Sequence, residues 1–213
     1  MATGPRYRVS FRRKRDGKTD YRRRMRLLLS GKPRLVVRRS LKRIIAQVVK
    51  YAEKGDIVIA SSDSKDLQEL GWKGGTANAP AAYLTGLLCG RRALEKGIKS
   101  CVLDLGLKRP PSGSNVFSVL KGAIDSGLDI PHSEDSLPPE DRLRGVHIAN
   151  YASLLKSEKK HPIFSEYAKR GLDPEDLPKH FDIVRSKIMK IEKEIKTTKT
   201  KKRGTIKGKG YGS

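Results

Sequence analysis

Three aspartates, Asp63, Asp104 and Asp125, are the residues of this sequence best suited to catalysis, because a nuclease centre sets carboxylates around divalent cations that act on a phosphodiester. Only Asp104 stands in an apolar, strand-like stretch, Ser100 to Leu105, and no Asp-x-Asp or Glu-x-x-His pair accompanies it. A lone aspartate in such a strand is ordinarily a hydrogen-bonded structural residue. The four histidines, His132, His147, His161 and His180, are 15, 14 and 19 residues apart, a spacing unlike that of zinc-ligand pairs. Cys89 and Cys101 lack a Cys-x-x-Cys partner, so each reads as a buried, inert thiol. Gly17-Lys18-Thr19 looks like the end of a phosphate-binding loop, but that loop needs glycine where Arg12 stands and an apolar strand before it. Neither Gly71 nor Lys73-Gly74-Gly75 supplies a dinucleotide fingerprint. No catalytic residue, no metal, no cofactor and no small-molecule substrate are therefore expected.

What the chain does carry is positive charge. Lys and Arg number 47 against 23 Asp and Glu, a formal net charge of +24, which points to a polyanionic partner. Residues 1–43 hold 17 basic and 2 acidic residues, and residues 196–213 hold 7 basic and none acidic. The intervening segment, 44–195, is close to neutral, with 23 basic and 21 acidic residues. The charge thus belongs to two tails around a near-neutral body. In residues 1–43 arginine outnumbers lysine 13 to 4, which favours forked contacts to phosphate over a diffuse ionic surface. An anionic membrane would also attract such a tail, but stable anchoring needs a second signal. Ala2 stands where myristoylation requires glycine, and no run of about 18 apolar residues exists to span a bilayer. The start of the sequence has no apolar signal-like core, so a cytoplasmic protein is expected.

The candidate nucleic-acid contacts fall in three groups. The first tail offers Arg6, Arg8, Arg12, Arg13, Lys14, Arg15, Lys18, Arg22, Arg23, Arg24 and Arg26. Tyr7, Phe11 and Tyr21 are interleaved with them; two uses stand side by side, stacking on unpaired bases or pinning the tail to the body. Next come Arg38, Arg39, Lys42 and Arg43 beside the first strands, which could extend the basic surface across one face of a sheet. Lys73, Lys108 and Arg109 complete the set, Lys73 on a Gly-rich loop read as mobile and suited to an RNA backbone.

Among the elements that must position these residues, 1–26 have too few aliphatics to fold alone and are expected to order only on a partner. Arg34 to Arg39 and Ile44 to Lys50 are β-branched and basic, which predicts two strands joined near Ser40. Asp56 to Ser61 is a third strand, and three in succession suggest an antiparallel meander. A helix follows, written by Tyr83, Leu84, Leu87, Leu88 and Leu94 and ended by Gly97. Ser100 to Leu105 then reads as a strand covered on both faces, and a second helix runs from Asn115, taken as its N-cap, to Gly127. Residues 140–156 form a further helical stretch. The last helix repeats Leu177, Phe181, Val184, Ile188, Ile191 and Ile195 at spacings of 4, 3, 4, 3 and 4, a seam expected to pack back on the domain. Expected divisions are a basic tail (1–31), an α/β body (32–131), a helical extension (132–196) and a flexible basic tail (197–213).

Several short stretches agree in order with one known family. Lys32-Pro33-Arg34-Leu35-Val36-Val37-Arg38-Arg39-Ser40, followed by Ala46-Gln47, resembles the first strands of the universal large-subunit ribosomal protein family numbered eighteen, whose eukaryotic member is numbered five. Arg6-Tyr7-Arg8-Val9, Gly17 to Arg22, Gly106 to Pro110 and Ile130-Pro131-His132 resemble its archaeal branch, and the likeness covers roughly residues 5–155. The resemblance implies an α/β fold, a three-layer α/β/α body with a mixed sheet related to the ribonuclease-H-like motif, flanked by a basic N-terminal tail and an α-helical C-terminal extension. It also implies a structural role: binding 5S rRNA in the central protuberance of the large subunit, with 23S rRNA and neighbouring ribosomal proteins as further partners.

Overall fold

Two runs rich in β-branched residues write the central hairpin, and a computed structural model of the chain, which describes residues 4–5, 8–157 and 162–190, shows how it is built. Strands β1 (Arg34–Arg39) and β2 (Ile44–Lys50) pair antiparallel from Arg34↔Val49 to Arg39↔Ile44, with Ser40 and Arg43 closing the turn through mutual hydrogen bonds. Leu35, Val37, Ile44, Ala46 and Val48 are buried on one face, whereas Val36, Arg38, Ile45 and Gln47 face the other. Strand β3 (Ile57–Asp63) joins β2 antiparallel with a bulge between Val48 and Val49. Strand β4 (Val102–Asp104) joins β1 in parallel, giving a mixed sheet in the order β3-β2-β1-β4. A parallel neighbour requires a crossover, which a single turn, α3 (Asp66–Glu69), and the long helix α4 (Ala79–Glu95) supply.

The expected sequence of three strands, helix, strand and helix is present, with four corrections of detail. Strand β4 is shorter than the stretch 100–105 and its residues are half-buried, because only one face of the sheet is fully covered. Helix α5 (Asn115–Asp125) has Ser114 at its N-cap position; Asn115 is its first residue and donates its amide to the Ala77 carbonyl at 2.8 Å. The stretch 140–156 is two helices, α6 (Glu140–Arg144) and α7 (Val146–Ser157), because Gly145 adopts φ +83° and ends the first. The Lys73–Gly75 loop is pinned, not mobile: the Trp72 indole donates to Gly75 O at 3.1 Å, the Gly75 amide donates to the Tyr167 hydroxyl at 3.1 Å, and Arg170 donates to Gly74 O at 2.9 Å.

Two apolar clusters share α4. Its Ala82, Cys89 and Ala93 face the sheet and α5, while Leu84, Leu87 and Leu88 face the last helix, α9, which spans 177–190 beyond the short α8 (Ser165–Lys169). Leu177, Phe181, Val184 and Ile188 of α9 are buried in that second cluster, so the apolar seam does pack back on the domain; Ile191 and Ile195 lie outside the described residues. Near the start of α9 the His180 ring stacks on Trp72, centroids 5.2 Å apart, and its Nε2 accepts the Lys73 amide. Burial, and then the charges of Lys73 and Lys187, hold its pKa below the ordinary 6.5, in keeping with a neutral acceptor. Cys89 and Cys101 are both buried, and desolvation pushes each thiol up to about 12.

Helices α4 and α5 touch backbone to backbone. A Cβ added at Gly86 would meet the Val119 carbonyl oxygen at 2.0 Å, and one at Gly122 would meet the Tyr83 carbonyl oxygen at 2.1 Å. Neither oxygen can yield without parting the helices that back the sheet. Gly122→Ala is therefore expected to destabilise the protein by about 1–3 kcal/mol, read from the urea midpoint, outweighing the ~1 kcal/mol helix-propensity gain of alanine.

Candidate nucleic-acid interface

Arg34 begins β1 with its side chain on the sheet face opposite Leu35, and that side chain is 5% exposed. A buried guanidinium must find counter-charges. Its Nη1 donates to Asp104 at 2.5 Å and its Nη2 to Asp56 at 2.7 Å. The other oxygen of Asp104 accepts the Gly106 amide at 2.9 Å, and the other oxygen of Asp56 accepts from Arg24 Nη2 at 2.9 Å. One charge network thus joins the end of β4, the turn before β3, the start of β1 and the N-terminal segment.

That segment is helical and docked, which corrects the expectation of a tail unable to order by itself. After a single turn, α1 (Arg12–Arg15), helix α2 (Tyr21–Leu28) is capped by Asp20, whose side chain accepts from the Arg22 and Arg23 amides. Tyr21, Arg24, Leu27 and Leu28 form its half-buried stripe, a helical spacing concealed in the sequence by the surrounding arginines. Arg24 reaches Asp56, and Arg23 donates to Gly106 O at 3.2 Å. The helix needs no core of its own, because the body supplies its contacts. Phe11 packs against Tyr21 with ring centroids 5.0 Å apart, so these two aromatics hold α1 to α2, although Phe11 stays 70% exposed.

Between α1–α2, the outer face of the sheet and the segment Leu105–Lys108 lies an open groove of about 600 Å³. Val36, Val49 and Val58 line it with the Gln47 amide among them, and Arg13, Lys18, Arg23, Arg38, Arg39 and Lys108 stand around it. Its acidic residues are all engaged internally: Asp20 as a helix cap, Asp56 and Asp104 on Arg34. The side chains of Arg38 and Arg39 are exposed and have no acidic partner among the described residues, and Lys108 is held only by the Arg39 carbonyl at 3.3 Å. The groove can therefore take an anion, and its floor can take a flat apolar group beside it.

The structure brings together some of the nominated residues and separates others. Arg13, Lys18, Arg23, Arg24, Arg38, Arg39 and Lys108 share the groove, although Arg24 is spent on Asp56 and Arg13 donates to Thr19 at 2.9 Å. Arg8, Lys14, Arg15, Arg22 and Arg26 are exposed on the same segment, and Arg12 lies 3.9 Å from Asp16. Arg43 stands off the groove near Asp63, 3.8 Å away; Lys42 lies near Thr76, which donates to its carbonyl; Lys73 sits with the C-terminal helices; Arg109 is exposed beyond the groove. Arg6 and Tyr7 lie outside the described residues. Sequence reasoning passed over Arg34, Asp56 and Gln47. The signal was present in the alternation of β1 and β2, which puts Arg34 and Gln47 on the face opposite the core.

The three candidate nuclease aspartates are each committed elsewhere. Both oxygens of Asp104 are taken as described, Asp63 accepts the Lys65 amide at 3.0 Å, and Asp125 accepts from the Tyr83 hydroxyl at 2.7 Å. Among the described residues no group of three His, Cys, Asp or Glu side chains is placed to hold a metal, and no helix is long and apolar enough to cross a membrane.

Over residues 5–100 and 95–133 the sequence matches the family described as the ribosomal large subunit proteins 60S L5 and 50S L18. A protein of the archaeon Methanothermobacter thermautotrophicus, named large ribosomal subunit protein uL18, is 53% identical over 188 residues, covering 88% of this chain and 98% of that relative. The chain belongs to the ribosomal L5/L18 family. The resemblance read from the short stretches above is thereby established, archaeal likeness included. As an L5/L18 protein the chain is a structural constituent of the large subunit of the cytoplasmic ribosome, not an enzyme, and its carboxylates serve the fold.

In this L5/L18 chain Arg34→Met would leave Asp104 with no cation and Asp56 with Arg24 alone. The expected loss is about 3–5 kcal/mol in chemical denaturation, the range for a buried pair deprived of one member. Asp104→Asn leaves Arg34 its bond to Asp56 and is expected to cost less.

Proposed function

We infer that this protein binds 5S rRNA and helps attach it to 23S rRNA in the central protuberance, alongside neighbouring ribosomal proteins. The observation that carries this reading is the groove with Arg38 on its rim free of any acidic partner among the described residues, and with every acid in it already engaged from within. Membership of a large-subunit family supports rRNA as the polyanion, and the family resemblance of the N-terminal stretches supports 5S rRNA in particular. In this reading the contacts are Arg8, Phe11, Arg12, Arg13, Lys14, Arg15, Lys18, Tyr21, Arg22, Arg23, Arg26, Arg38, Arg39 and Lys108, with Arg6 and Tyr7 preceding them. Arg24 holds the helix that presents its neighbours. Lys42, Arg43, Lys73 and Arg109 lie outside the groove and meet other parts of the rRNA.

Neutralising on the order of 6 to 10 phosphates makes binding steeply salt-dependent, about 10³-fold weaker or more between about 50 and 200 mM salt. Filter binding of 5S rRNA is expected to show that slope, and a flat response contradicts the reading. Removing residues 1–31 takes away α1 and α2 with most of the cations, so it is expected to weaken binding far more than removing residues 197–213. Equal losses would show that the N-terminal segment is not the dominant anchor.

A further inference from the structure

The groove on the open face of the sheet is more than a charged surface. Val49 and Val58 are cross-strand partners, Val36 pairs with Gln47, and together these four put a small apolar floor with one amide in the middle of it. Val49 is 6% exposed although it faces away from the main core, and Gln47 is half-buried with no side-chain hydrogen bond among the described residues. An amide carries both a donor and an acceptor, so leaving it half-buried and unspent favours a ligand that offers both. The surrounding cations, Arg38 and Lys108 above all, require that ligand to be anionic on its rim.

We propose that this groove seats an unpaired nucleobase of the bound RNA, its face on Val36, Val49 and Val58, its hydrogen-bonding edge toward Gln47 and its flanking phosphates on Arg38 and Lys108. The cavity volume of about 600 Å³ is ample for one or two nucleotides. An unpaired base suits the site better than a paired stem, because an apolar floor with an amide in it can be met only by a base whose face and edge are both free. A-form duplex also keeps base edges out of reach of side chains in its deep groove, whereas loops and bulges present them. Charge alone positions a protein on RNA without reading it; Gln47 adds the readout. The proposal rests on the rRNA reading above and names which part of an RNA the groove takes.

The test titrates the full chain against 5S rRNA across salt for the wild type, Gln47→Ala, Gln47→Glu and Arg38→Ala, each first shown to keep its unfolding midpoint. Gln47→Ala is expected to weaken binding by about 10-fold, the loss of one base-edge contact, with the salt slope unchanged. Gln47→Glu is expected to weaken it further by setting an anion beside the phosphates. Arg38→Ala is expected to lower the slope by about one phosphate equivalent. A photoreactive phenylalanine analogue in place of Val58 gives a second readout that does not depend on the Gln47 variants, with crosslinks expected at a loop or bulge nucleotide. A Gln47→Ala effect within about twofold, a changed slope in that variant, or crosslinks confined to a paired stem would overturn the proposal. If the wild type binds a 23S rRNA fragment but not 5S rRNA, the 5S reading fails, and the same variants on that fragment decide the fate of the groove. Binding to neither RNA sinks both.

Discussion

A single buried guanidinium organises the outer face of this protein. Arg34 is taken out of water at the start of the first strand, where its cost is offset only by carboxylates in good geometry. Those carboxylates come from two separate segments, Asp56 before β3 and Asp104 at the end of β4, so satisfying Arg34 fixes both to β1. Each carboxylate then spends its second oxygen on a third element, Asp104 on the Gly106 amide and Asp56 on Arg24 of α2. Such a cluster adds little net stability over an apolar replacement, but it specifies an arrangement, since losing Arg34 strands Asp104 and losing Asp56 strands Arg24. Here the arrangement is a groove whose walls are α1–α2 and the segment after β4.

Behind that face the scaffold is stiff. The inner side of the sheet rests on α4 and α5, whose backbones meet at Gly86 and Gly122 without intervening side chains. On its far side α4 is covered by α9, so the long helix is buried on almost every side and neither neighbour can shift alone. A floor of this kind holds Val36, Gln47 and Val49 at fixed spacing, as expected of a component whose task is to hold RNA in place and not to turn it over. The near-neutral charge of residues 44–195 has the same logic: the body supplies shape, and the N-terminal segment supplies the field.

Much of this was legible in the sequence, and what was not has physical reasons. The β1–β2 hairpin is legible to the residue, because both runs are β-branched and Ser40 marks the turn. The seam of α9 and its packing on the domain were equally plain, a 3.6-residue repeat having one obvious use. Helix α2 was hidden because its half-buried stripe is only four residues and contains an arginine, so composition suggested a segment too polar to fold. What that estimate lacked was the distant partner, Asp56, 32 residues away from Arg24. The Lys73–Gly75 loop looked mobile for the same reason, its glycines being pinned by Tyr167 and Arg170 from far along the chain. Family membership came through the ordered short stretches, while the groove floor required the register that sets Val58 opposite Val49.

The central claim is that the Arg34 network holds α2 on the body before any RNA arrives, so that the groove exists in the free protein. Amide hydrogen exchange of the RNA-free chain tests it most directly. Protection of the amides from Arg24 to Leu28 well above that of an unstructured chain, lost when Asp56 is changed to Asn while β1 and β2 stay protected, is the predicted result. Exchange of those amides at the rate of an unfolded segment in the wild type would contradict the account and return the N-terminal helix to a structure formed only on its RNA.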